Sequence, residues 1–492
     1  MTNISRRGFL AATSAAVAAS VIPLSGFAAN TPMPLAAARR VLDIDGRAAT
    51  VFGLVNASGG QGLVLDPGQA FRVDLTNALD RPTIIHWHGQ IGPNVQDGVP
   101  DMPLPMLAPG ETRAYDFAPT PGTHWMHAHV PVQEMELLAA PLIVRAPGEA
   151  AEDRQEVVLF LHDFSFRPAE EVLAQITGAA ANGGGHGDHG GTGAGGGVMQ
   201  GMGGMAMGGM SHGAMSAMAM DLNDFDFDAY LANDRTLSDP EVVRVERGGR
   251  VRLRVINAAA ATVFWIDTGT VGASLVAVDG HAVEPLVGSR FGLAMGQRLD
   301  LTLDLPAGEG AFPVLALREG ARERTGIVLA TPGARIDRIA GLSAEAAPAF
   351  DRDLAQEARL SATLPLAARP ADRSRMVMLG GAMQPYVWTI DGRVWGDHAP
   401  VIARSGERVE LAFHNMSMMG HPMHLHGHAF QVVGINGRAV AGAVRDTVHI
   451  PPMSMVTVAV DAGEAARWML HCHHMPHLAT GMMTEFQVSA SA

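Results

Sequence analysis

The chain has 492 residues, a net charge of −14 and a single cysteine. That length accommodates three domains of ~100–200 residues, each able to bury its own core. The cationic charge is all arginine and is outweighed by acid, which excludes a nucleic-acid footprint; one cysteine excludes an intrachain disulfide.

At the N-terminus, Ser5-Arg6-Arg7-Gly8-Phe9-Leu10 precedes an Ala/Val-rich apolar stretch running to about Phe27, followed by Ala28 and Ala29. This pattern predicts that residues 1–29 are a twin-arginine signal peptide, cut near Ala28 or Ala29. The expected partner is the twin-arginine export machinery, and the expected compartment is the periplasm. No later apolar run reaches 18 residues, so no membrane span is expected in the mature chain.

A short pattern then recurs three times: GQAFRVDLTN at 68–77, GGRVRLRVIN at 248–257 and GERVELAFHN at 406–415. Each has a turn glycine, a strand of alternating apolar and polar residues, and a closing asparagine. The alternation is the period-two signal of a half-buried strand. Spacings of 180 and 158 residues are domain spacings, so the chain reads as all-β sandwiches in tandem. The domains are expected at 36–147, 155–333 and 371–489. A Gly/Met/His-rich insertion, 178–220, interrupts the second, and an Ala/Pro/charge-rich linker at about 334–370 leads into the third.

Nine and eleven residues past Asn77 stand His86 and His88, in HWHG. The same offsets from Asn415 give His424 and His426, in HPMHLHGH, whereas from Asn257 they give Ile266 and Thr268. Later in each outer repeat a Trp-Met pair introduces a second cluster: Trp125-Met126-His127-Ala128-His129 and Trp468-Met469-Leu470-His471-Cys472-His473. The comparable stretch of the middle repeat, Phe312 to Leu317, is apolar. Outer domains that bind metal at a shared face, held by a metal-free middle domain, account for this pattern.

Successive strand side chains point to opposite faces. In His471-Cys472-His473 the two imidazoles therefore face one way and the sulfur the other, so they can serve different metals on either side of one strand. Four His-x-His pairs supply eight imidazoles, enough for a three-copper cluster. The sulfur side needs two imidazoles and a weak axial ligand for a blue-copper site. Cys472, His477 and Met482 are spaced by five and five, and His421 supplies the second imidazole. A zinc site usually has four ligands, often from several cysteines, which ten histidines around one cysteine do not resemble.

These motifs resemble those of the three-domain multicopper oxidases, a family that includes laccases and bacterial cuprous oxidases. The resemblance covers essentially the whole mature chain. It implies three tandem cupredoxin-like β-sandwich domains and four coppers per chain, with four one-electron oxidations coupled to reduction of dioxygen to water. Residue by residue, it implies type 1 copper ligands at His421, Cys472, His477 and Met482, and type 2 ligands at His86 and His424. It implies type 3 ligands at His88, His127, His129, His426, His471 and His473. Asp97, in VQDGVP, matches a family acid that assists protons near the cluster; the plainer reading is a turn-capping Asp before Gly98. Some relatives carry a second acid just after the last type 1 histidine, where this chain has Leu478, which leaves the proton path on that side unassigned.

The insertion holds Met199, Met202, Met205, Met207, Met210, Met215, Met218 and Met220, with His186, His189 and His212. Thioethers favour Cu(I), so this segment is a candidate site for extra, labile substrate copper, against the plainer reading of a low-complexity linker. Met418 and Met419 stand just before His421, and Met419 matches a cuprous-site methionine of the copper-efflux oxidases. The accompanying acid is Ser417 here; Asp446 is a weaker candidate, or a salt-bridge partner of Arg445 or another arginine. Met423 reads as ordinary core. His124, His414, His428 and His474 read as supporting hydrogen-bond partners, and His162, His281, His398 and His449 as surface or satisfied core residues. Three functions compete: a periplasmic oxidase of Cu(I), conferring copper tolerance; a laccase acting on phenols or other small organic donors; and a non-enzymatic copper-storage or assembly protein.

Overall fold

The three recurring segments form equivalent central strands, Phe71–Asn77, Arg250–Asn257 and Arg408–Asn415. In the computed structural model, which describes residues 31–178 and 222–491, each pairs in parallel with an earlier strand of its repeat and antiparallel with a later one. The alternation in sequence becomes alternation in burial, strictly so in Phe71–Asn77. Each repeat folds as two sheets: four and four strands, then six and five, then seven and five. Apolar side chains from both sheets of a repeat close one core, as where Phe71, Val73 and Leu75 meet Leu63, Leu65 and Leu142. The chain is thus all-β, in three tandem sandwiches. The expected leader and the Met-rich insertion lie outside the described residues.

The asparagine that closes each repeat has a structural task. Asn77, Asn257 and Asn415 are all fully buried. The Asn77 amide donates to the carbonyls of Arg81 and Leu107 at 2.9 and 3.0 Å and accepts from the Leu79 N–H at 3.0 Å. Asn257 donates to Thr262 and Leu293 and accepts from Ala259; Asn415 donates to Met419 and Ile450 and accepts from Ser417. A short loop that crosses from one sheet to the other is thereby pinned at three points inside the core. The next strand emerges in the same place each time: Ile85–His88, Phe264–Asp267 and His421–Leu425.

Among the described residues the α-helices are few and short: α1 (Pro131–Met135), α2 (Ala169–Ile176) and α3 (Met475–Ala479). Met135 at the end of α1 packs with Met475 and Leu478 of α3, and with Ala260 of the middle repeat. The stretch 334–370 differs from a free linker. Phe350, Leu354 and Leu360 are buried, and Glu357 receives Arg445 at 2.5 Å. A stretch rich in Ala, Pro and charge can thus connect two repeats and still pack, irregular backbone included.

Candidate metal centre

Strand His421–Leu425 pairs with Arg467–Cys472, setting Met423 opposite Cys472 and His424 opposite His471. Alternation then divides the chemistry. On one side, Cys472 Sγ lies 3.7 Å from His421 Nδ1 and 3.6 Å from His477 Nδ1, and the two Nδ1 atoms are 3.1 Å apart. All three residues are fully buried, as is Met482, in the core cluster that contains Cys472. Met482 is tied to this group by backbone: its N–H donates to His477 O, and its carbonyl accepts from Cys472 N–H. The adjacent Met483 instead packs beside Val99, Met102 and Met469.

On the other side lie the eight imidazoles. The register sets His86 opposite His127. Nitrogens of His86, His88 and His424 fall within 4.8 Å of one another, as do those of His88, His127 and His473, and those of His129, His426 and His471. Hydrogen bonds fix which nitrogen faces inward. Carbonyls can only accept, so His86 Nδ1 donates to Asp97 O at 2.8 Å, His424 Nδ1 to Asp446 O at 2.9 Å and His471 Nδ1 to Cys472 O at 2.9 Å. Their Nε2 atoms carry lone pairs. His86 and His424 point these at each other across 3.4 Å, and His426 and His471 place their Nε2 atoms 3.0 Å apart.

Three carboxylates brace the imidazoles. Asp97 follows the short 3-10 turn Asn94–Gln96, and its Oδ2 accepts from His426 Nδ1 at 2.9 Å. Gly98 lets this loop press onto the histidine strand: its φ is +88°, and a Cβ there would sit 1.9 Å from Ile85 O. Asp446 meets His88 Nε2 at 3.1 Å and takes two bonds from Arg298, at 2.7 and 2.5 Å. Burial by itself would raise the Asp446 carboxyl, but the Arg298 guanidinium outweighs it and holds the group well below the usual carboxylate range. Glu134 of α1 stands 2.8 Å from His127 Nδ1; burial alone pushes its carboxyl well above the usual range, and cations bound among the imidazoles would favour its ionised form.

This donor set fits bound copper. Burial holds His88, His127, His129, His421, His426, His471, His473 and His477 well below the ordinary imidazole value, so they are neutral at physiological pH, the form that can ligate a metal. His88 Nδ1, His127 Nε2, His129 Nε2 and both His473 nitrogens are buried with no hydrogen-bond partner in the protein. Each such orphan costs about 1–3 kcal/mol, and facing lone pairs add to that; cations among them relieve both. Burial also raises the Cys472 thiol, so its thiolate requires a metal beside it.

The surroundings of the thiolate site hold what sequence reasoning missed. Asp224, shortly after the Met-rich insertion, lies with Oδ2 3.6 Å from His477 Nε2 and 3.4 Å from His474 Nε2, and accepts the Tyr386 hydroxyl. His474 stacks on His477 with ring centroids 3.8 Å apart. Ser417, where an acid was sought, bonds its hydroxyl to His421 Nε2 at 2.8 Å. Met418 is 57% exposed, whereas Met419 is buried. Both line a cavity with Leu222, Met295, His449 and His474. Asp446 is not at this site; it is instead a salt-bridge partner, as the sequence also allowed, and the arginine is Arg298 of the middle repeat. His428 supports the cluster through His426 O at 2.9 Å, and Met423 is fully buried core. His449 is buried with its Nδ1 unpartnered rather than satisfied. The candidate copper-binding Met199, Met202, Met205, Met207, Met210, Met215, Met218 and Met220 lie outside the described residues.

Family models described as multicopper oxidase match residues 38–149, 157–331 and 368–492. The chain is 30% identical to multicopper oxidase MmcO of Mycobacterium tuberculosis, over 97% of this chain and 90% of that protein. It is 24% identical to a copper resistance protein A homolog of Pseudomonas syringae pv. tomato, over 93% and 92% of the two chains. The crystal structure of laccase from Botrytis aclada shares the fold, with a TM-score of 0.71 at 19% identity, over 92% of this chain and 87% of that one.

Proposed function

The chain belongs to the multicopper oxidase family and is a copper-dependent oxidoreductase that uses dioxygen; from that premise we propose that its donor is Cu(I), oxidised to Cu(II) in the periplasm as a means of copper tolerance. His421, Cys472, His477 and Met482 would hold a type 1 copper. His86 and His424 would hold type 2, and His88, His127, His129, His426, His471 and His473 the type 3 pair. Bound copper supplies one-electron chemistry, with the overall balance 4 Cu(I) + O₂ + 4 H⁺ → 4 Cu(II) + 2 H₂O. The polypeptide joins donor and acceptor sides through Cys472, whose strand neighbours His471 and His473 belong to the imidazole cluster. Asp97 orients His426 and His86 and is the proton-handling carboxylate beside them.

One observation carries the choice of donor. His421 and His477 are both fully buried. Their outer nitrogens meet Ser417 and Asp224, and the nearby cavity, only about 30 Å³, sets the thioethers of Met295, Met418 and Met419 and the imidazoles of His449 and His474 among apolar side chains such as Leu222, Val263 and Phe350. A small soft cation suits such an entrance better than a phenol ring. Met416 and Met453, at 52% and 62% exposure, add thioethers to Met418 on this part of the chain. The relative named as a copper resistance protein supports the same choice, and the Met-rich insertion would gather Cu(I) for it. Oxygen uptake with Cu(I) and with a phenol, each with and without excess Cu(II), tests the reading. Cu(I) should be turned over without added Cu(II), and the phenol poorly. A phenol oxidised well in both conditions, with Cu(I) inert, would establish the laccase reading instead. Twin-arginine export follows from Arg6 and Arg7; replacing both by lysine should leave precursor in the cytoplasm, and normal periplasmic activity from that variant would contradict the route.

A further inference from the structure

Glu134 is 2% exposed and belongs to none of the recognised motifs. It stands in α1, seven residues after His127, because the chain turns back directly after the His-x-His pair. The turn is locked on both sides. Gln133 accepts the Thr83 hydroxyl at 2.7 Å and donates to Pro82 O at 2.8 Å, and Leu138 N–H returns to Gln133 O at 3.0 Å. The Glu134 carboxylate is thus delivered from a fixed backbone. Its Oε2 is 2.8 Å from His127 Nδ1, a nitrogen shared with Ala128 O at 3.0 Å, and its Oε1 has no hydrogen-bond partner. That free oxygen lies 3.9 Å from His473 Nδ1, which also has no hydrogen-bond partner. His127 comes from the first repeat and His473 from the third, so one carboxylate spans the seam between them.

We propose that Glu134 is a positioning residue for the site formed by His88, His127 and His473, its two oxygens accepting from Nδ1 of His127 and of His473 so that both present Nε2 to the metal. The inference rests on assigning those imidazoles to copper. Moving His473 from 3.9 Å to hydrogen-bond distance takes a shift of about 1 Å. A second carboxylate near this part of the cluster also bears on Leu478. Leu478 is buried in α3, against Met135 of α1. The acid that some relatives carry at the position of Leu478 has no counterpart on α3; the helix packed against α3 carries Glu134.

Three variants of the full chain test this, read by copper retention against a chelator of known affinity and by electron paramagnetic resonance. Glu134→Met keeps the bulk and removes the acceptors, Glu134→Gln keeps one acceptor, and Glu134→Asp withdraws both oxygens by one methylene. Outer partners of metal-bound histidines are worth about 10–100-fold in metal affinity. Glu134→Met should lose copper from the three-imidazole site by that factor, with a new resonance from the unpaired neighbour and an unchanged blue band. Glu134→Gln should retain most of the affinity, and Glu134→Asp should lose several-fold. Should the methionine variant fail to fold, the aspartate variant decides. Wild-type retention in Glu134→Met or Glu134→Asp, or equal loss in the glutamine and methionine variants, would overturn the proposal. A wild-type protein that binds no copper at these imidazoles would instead overturn the assignment beneath it.

Discussion

The middle repeat and its two neighbours diverge one strand after the same buried asparagine. Asn77, Asn257 and Asn415 make matching bonds, yet the following strand is Ile85–His88 or His421–Leu425 in the outer repeats and Phe264–Asp267 in the middle one. At the offsets where the outer repeats place imidazoles, Ile266 is fully buried core and the Thr268 hydroxyl donates to Val271 O. The scaffold and the metal chemistry are therefore separable: one crossover delivers either a ligand pair or packing. The middle repeat is not inert, however. It sends Arg298 to Asp446 and Asp224 to His477, so it acts on the metal sites through charge while the four His-x-His pairs and the thiol stand in its neighbours.

The largest effect should come from cutting that charge link. Arg298→Met would leave Asp446 as a buried carboxylate without its cation, which costs about 3–5 kcal/mol. Thermal unfolding of the metal-free protein should report the loss, and copper at His88 and His424 should loosen while the blue band of the thiolate site persists. Adding Asp446→Leu should recover stability but not copper retention. If Arg298→Met changes neither, the middle repeat is only a spacer.

Asp97→Asn acts from the outer side of the same comparison. It keeps the loop geometry but weakens the contact to His426, and it should slow reoxidation by dioxygen about 100-fold, in the range of general acid–base effects. Anaerobic reduction of the blue site by donor should change little. Slowing confined to reduction would remove Asp97 from proton handling.

The smallest effect is shared by inner and outer repeats. Burial depresses His124 and His449, in the outer repeats, to about 3, and His162, in the middle repeat, to about 4. Their folded values lie below the unfolded value near 6.5, so between the two the unfolded chain binds more protons. Stability of the metal-free protein should be full above pH ~6.5 and fall as pH drops from there toward 4. A melting temperature that stays flat from pH 7 to pH 4.5 would contradict this, and His162→Gln should remove the share belonging to the middle repeat.

Much of this was legible because local rules govern it. Strand alternation alone separates Cys472 from His471 and His473, and equal offsets from Asn77 and Asn415 pair the histidine strands. The asparagines, chosen only as repeat markers, proved to be the pins of the crossover. What stayed hidden depends on tertiary meetings without a spacing. Glu134 reaches His473 from another domain, Asp224 reaches His477 across a long sequence separation, and which arginine holds Asp446 had no local signal, since Arg298 lies 148 residues away. A faint signal existed for Glu134, an acid in the short turn after a His-x-His pair. For Asp224 there was only an Asp/Phe alternation at 224–228.

Whether one thiolate links a blue-copper site to the imidazole cluster is tested most directly by Cys472→Ser, measured as visible absorption, copper content and oxygen uptake on the same folded sample. The sulfur of Cys472 is the chain's only thiol and lies within 3.7 Å of both His421 and His477. The variant should lose the thiolate-to-copper absorption and all turnover, and should keep copper at the eight imidazoles. A blue or catalytically active Cys472→Ser protein would contradict the assignment of both sites.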